Sequence, residues 1–80
     1  MERKIEVGKI YKHFKGNLYK VIDIAYDSES SDKNLKKIVV YEALYGDHIH
    51  WARPYDMFNS LVDKEKYSDV LQKYRFEEVD

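Results

Sequence analysis

The run Ile38-Val39-Val40-Tyr41-Glu42-Ala43-Leu44-Tyr45-Gly46-Asp47-His48-Ile49-His50-Trp51-Ala52-Arg53-Pro54 reads as two β-strands reversing at Gly46-Asp47, and it carries the only Trp of the chain. In the upstream strand, which begins at Leu35, Ile38, Val40 and Leu44 oppose Val39, Tyr41, Ala43 and Tyr45. Apolar character on both faces marks a central strand. Downstream, Ile49, Trp51 and Arg53 share one face and His48, His50 and Ala52 the other. Pro54 removes a ladder donor and ends regular pairing.

Upstream, Gly8 to Phe14 forms a first strand with Ile10, Lys12 and Phe14 on one side and Tyr11 and His13 on the other. Lys15-Gly16-Asn17 reverses the chain into a second strand from Leu18 to about Tyr26. Its alternation breaks at Val21-Ile22, as a β-bulge or burial on both sides of a bent strand requires. Asp27 to Asn34 contains no apolar residue and reads as a mobile loop tip. Downstream of Pro54, Asp56-Met57-Phe58 with Leu61 reads as a helical turn plugging one end of a barrel. Asp63 is placed as an N-cap, and Tyr67, Val70, Leu71 and Tyr74 recur at helical spacing, which predicts a short C-terminal amphipathic helix. Arg75 to Val79 is the closing strand. The expectation is one domain over residues 1–80, mainly β, a small antiparallel barrel of about five strands with a short C-terminal helical segment.

Composition bounds the chemistry. With 80 residues and no Cys, packing alone holds the fold, and disulfides, thiolate nucleophiles and Cys-ligated zinc are excluded. The opening Met1-Glu2-Arg3-Lys4-Ile5-Glu6 lacks the apolar segment of a secretory leader, and no run is apolar for the roughly 20 residues of a membrane span. A cytoplasmic location without a membrane partner is therefore expected. A formal charge of -1 argues against a general nucleic-acid binder, although Lys9, Lys12, Lys15 and Lys20 cluster early and Asp63, Glu65, Asp69, Glu77, Glu78 and Asp80 late.

Three segments, Tyr11-x-His13-Phe14-Lys15-Gly16-x-x-Tyr19-x-Val21, Val40-Tyr41-x-Ala43-Leu44-Tyr45-Gly46 and Trp51-x-Arg53-Pro54-x-x-Met57-Phe58, resemble the small bacterial family of unknown function numbered 1653. The resemblance covers residues 8 to 61, and the tail from Asp63 to Phe76 is similar to one branch of the family. It implies an SH3-type barrel of about five strands and no activity. Where family members carry a His-Ser/Thr-Glu tripeptide after the second strand, this chain has Asp27-Ser28-Glu29.

No Gly-x-Ser-x-Gly, phosphate loop or zincin motif is present, and His48-x-His50 lacks an evident third ligand. No catalytic residue, metal or cofactor is assigned. The strongest functional set is Tyr11, His13, Glu29, Tyr41, Tyr45, Trp51 and Arg53. Flat rings offer contact area at small entropic cost, and Arg forks to a carboxylate or phosphate. The leading expectation is a non-catalytic binding module for a peptide, protein surface or small ligand. Single-stranded nucleic acid, with bases on Tyr11 and Tyr19 and phosphates on the early lysines, is the alternative. A small enzyme using His13 with Glu29 or Asp47 is the third.

Overall fold

The computed structural model describes residues 3–79, so Met1 and Glu2 of the charged opening and Asp80 of the acidic tail lie outside the described residues. Five antiparallel strands form one sheet in the order β4-β3-β2-β1-β5: β1 Ile10–His13, β2 Leu18–Tyr26, β3 Lys37–Ala43, β4 His50–Pro54 and β5 Phe76–Glu78. The single helical turn, α1, spans Tyr55–Phe58. The mainly β architecture and its five strands are as the alternation requires, with β3 inside the sheet and β4 at its edge.

The local devices are readable. Gly16 at φ 112° closes the β1–β2 turn, where its N–H donates to the His13 carbonyl at 2.8 Å. The register of β2 on β3 slips between Val21 and Asp23, leaving Ile22 as the extra residue of a bulge. Val21 and Ile24 thereby both reach the core side, and the strand bends. Curvature is large: Arg53 on edge strand β4 brings its Cζ to 5.7 Å from the ring centroid of Phe76 on the opposite edge strand β5.

Three expectations are corrected, and the turn within the polar loop is defined. The β3–β4 connection is longer than a two-residue turn, running from Leu44 to Ile49 with Gly46 at φ 56° and His48 at φ 54°, so His48 and Ile49 precede β4. The polar loop after β2 is organised by Asp27, whose Oδ1 accepts the Glu29 N–H at 2.9 Å and whose carbonyl accepts the Ser30 N–H at 3.0 Å. Chain order begins before Gly8, because Ile5 is part of the core and its N–H donates to the Tyr55 hydroxyl at 2.9 Å. The helix expected from Asp63 through Tyr74 is absent, and turns and irregular chain replace it.

Backbone pairing with the 60–62 segment stands in place of a helix end: the Lys73 carbonyl accepts the Val62 N–H at 2.9 Å and the Arg75 N–H donates to the Ser60 carbonyl at 2.8 Å. The Lys64 ammonium donates to the carbonyls of Val70 and Gln72, and the Gln72 amide donates to the carbonyls of Lys12 at 2.7 Å and Tyr74 at 3.0 Å. Leu71, placed on the apolar stripe by its spacing, is 100% exposed.

The core is aromatic. Phe58 from α1 stacks on Phe76 with centroids 4.0 Å apart, and Tyr11 and Tyr41 meet Phe58 edge-on at 5.6 and 5.2 Å. Val21, Val39 and Ile5 complete it. Arg3 ties the N-terminal segment across its end: Nη1 donates to the Phe76 carbonyl and Nε to Asn59 Oδ1, each at 2.6 Å, while Cζ lies 3.9 Å over the Tyr74 ring.

Candidate functional site

Residues paired across neighbouring strands share a face, so the register shows where the expected site residues stand. His13 pairs with Phe76, Tyr11 with Tyr19, Tyr41 with Trp51 and Val39 with Arg53. All lie on the core-facing side of the curled sheet. The Arg53 Nε donates to the Tyr41 hydroxyl at 3.3 Å, and the Tyr19 and Tyr45 hydroxyls are 2.8 Å apart. The structure therefore brings Tyr11, His13, Tyr41, Tyr45, Trp51 and Arg53 to one side, with Tyr19 and Phe76 among them.

Their exposure divides them. Tyr11 is 2% exposed and Tyr41 5%, so both are core residues under the surface. Tyr11, whose hydroxyl accepts the Glu6 N–H at 2.9 Å, presents no free face on which a base could stack. Trp51 and Tyr45 are 48% and 44% exposed. Glu29 is elsewhere, in a polar cleft of ≈ 400 Å³ formed by the Asp27–Lys36 loop, which His13 does not line. His48, expected beside His50 on a strand face, lies in the turn with Nδ1 3.0 Å from Glu42 Oε2.

A second cleft, of ≈ 340 Å³, shares Arg53 with this face. His13, Lys15, Arg53, Lys66 and Arg75 line it, with Phe14, Tyr67 and Val62 as its apolar wall and Asp63 as its only carboxylate. The elements that supply the cations are far apart in sequence: the β1–β2 turn, β4, the tail and the approach to β5. None of the four cations has a carboxylate partner among the described residues. The Nε of Arg53 is held by Tyr41 and the Nε of Arg75 by Ser60 Oγ at 3.1 Å, both neutral oxygens that leave the guanidinium charges uncompensated. Lys15 and Lys66 place their ammonium groups 5.8 and 5.5 Å from the Tyr67 ring centroid. Asp63 Oδ1 accepts the Glu65 N–H at 3.1 Å.

His13 sits among these charges as a neutral donor. Burial first, then the positive charges of Arg53, Arg75 and Lys15, lower its pKa to about 4. Its Nδ1 accepts the Lys15 backbone N–H at 3.1 Å, so in the neutral ring the proton is on Nε2. Its ring stacks on Phe14 at 4.5 Å and meets Phe76 edge-on at 4.9 Å. Tyr19 is pushed up to about 12, by burial and then by its hydroxyl contact with Tyr45.

Lys66, Arg75, Phe14 and Tyr67 are the site residues that sequence reasoning does not reach. Lys66 lies in the stretch read as an amphipathic helix and Arg75 opens the expected closing strand, and only the tail's return across the β1–β2 turn places them against Lys15. Tyr19 was accessible: the Gly16 turn sets it opposite Tyr11.

The family model described as "Protein of unknown function (DUF1653)" matches residues 9–78, tail included. No curated protein and no solved structure matches the chain.

Proposed function

We propose that this chain, which belongs to the DUF1653 family of proteins of unknown function, is a non-catalytic recognition module whose ligand docks on the Tyr45, Trp51 and Arg53 surface. The observation that carries this reading is Trp51. It stands on the core-facing side of edge strand β4, opposite the enclosed Tyr41, yet nearly half of it remains in water. A large ring left there contributes little to the monomer's own core, while a partner that covers it gains its burial. Ile49 and Tyr45, also exposed, widen the apolar area around it. Arg53, braced by Tyr41, supplies a fixed fork at its margin.

The ligand class is a peptide, a protein surface or a small molecule. An amide and indole chemical-shift titration against peptide pools and fractionated small-molecule extract tests this. Saturable perturbation of the Trp51 indole and the Tyr45 and Arg53 signals is expected, lost in Trp51→Thr. Shifts confined to the acidic tail that spare those three residues would overturn it.

A further inference from the structure

We infer that the cleft between the β1–β2 turn and the tail is a binding site for a phosphate dianion, free or as the monoester end of a ligand. This rests on the reading of the adjoining face as a recognition surface and assigns one group of its ligand.

Four cations from four separate parts of the chain, Lys15, Arg53, Lys66 and Arg75, line one cleft in a protein whose net charge is -1. Mutual repulsion opposes such convergence unless an anion joins it. The carboxylate already there, Asp63, accepts a backbone N–H and pairs with none of them among the described residues. The charge left over exceeds what a carboxylate or a singly charged diester would balance, and it suits a dianion.

The donors are prepared for the task. Each arginine is fixed through Nε by a neutral oxygen, Tyr41 for Arg53 and Ser60 for Arg75. That arrangement orders the guanidinium without spending its terminal amino groups on a carboxylate, and planar amino pairs match phosphate oxygens. His13 contributes a neutral Nε2–H, because its Nδ1 is occupied by the Lys15 N–H. Phe14 and Tyr67, with ring centroids 4.8 Å apart, form an aromatic wall against which an organic group on the phosphate would lie.

The test is an NMR titration of the full chain with inorganic phosphate, phenyl phosphate, dimethyl phosphate and acetate at constant ionic strength, following the His13 ring, the Lys15 amide and the Trp51 indole. Saturable shifts at His13 and Lys15 with the two dianions, at least tenfold weaker with dimethyl phosphate and acetate, are expected. Tighter binding of phenyl phosphate than of inorganic phosphate identifies a monoester ligand, and equal binding identifies free phosphate. Arg75→Gln and Lys66→Gln should each weaken binding about tenfold, Lys66 being exposed and its loss harmless to the fold, while Lys20→Gln on β2 leaves it unchanged. Equal response to all four anions, or no response at His13, overturns the phosphate site. If the Trp51 indole still responds to peptide or extract fractions, only the phosphate assignment falls; if neither probe moves, both readings fall.

Discussion

His13 shows how one side chain reports its surroundings. Unfolded, the imidazole takes up a proton near 6.5; folded, only near 4. The neutral ring's contribution to stability is therefore complete above pH 6.5 and is lost as the pH falls towards 4, about 1–2 kcal/mol once screening at this half-buried position is discounted. A ring-proton titration should give a midpoint near 4, and the stability difference between native protein and His13→Gln, measured by urea unfolding at pH 7 and 4.5, should shrink at the lower pH. Phe58 is the converse case, wholly enclosed and stacked on Phe76. Phe58→Ala should cost about 3–5 kcal/mol, which denaturant unfolding would read as loss of most of the stability of so small a domain.

At the level of elements, β4 and the N-terminal segment behave oppositely to first impressions. Trp51 looks like a core anchor by type, but its edge position and exposure leave it a cross-strand contact with Tyr41. Trp51→Thr should cost only about 1 kcal/mol, with the circular dichroism of the fold retained, and this makes it a clean probe of binding. The segment before β1 looks like a polar leader, yet Arg3 bonds to the Phe76 carbonyl and to Asn59 while Ile5 enters the core. Arg3→Ala should therefore destabilise by about 1–3 kcal/mol, because it strands a β5 carbonyl and an amide, an effect that thermal unfolding would detect. The β2 bulge was legible because Val21, Ile22 and Ile24 break a strict two-residue alternation. The tail was not, because Tyr67, Val70, Leu71 and Tyr74 fit a helix locally. In place of that helix the backbone of Lys73 to Arg75 pairs with Ser60 to Val62, a contact with residues outside the periodic stretch that its spacing does not show.

For the whole molecule, curvature is the decisive quantity. Alternation along each strand groups residues within that strand, Tyr11 with His13 and Trp51 with Arg53, and the cross-strand register then puts those groups and Tyr41 on one side of the sheet. Neither says how tightly the sheet curls, and curling determines which of those residues are enclosed and which stay in water. It also brings β4 towards β5, so that Arg53 reaches Phe76 and His13. The sequence by itself determined the five strands, the Gly16 turn, the break in β2 alternation, the faces within each strand and the family, since these follow from short-range periodicity and backbone preference. Only the tertiary structure decided that Tyr11 and Tyr41 are floor and Trp51 is surface, that Glu29 stands apart, and that Lys66 and Arg75 join Lys15 and Arg53. Burial and convergent charge depend on contacts between distant parts of the chain, and no local pattern encodes them.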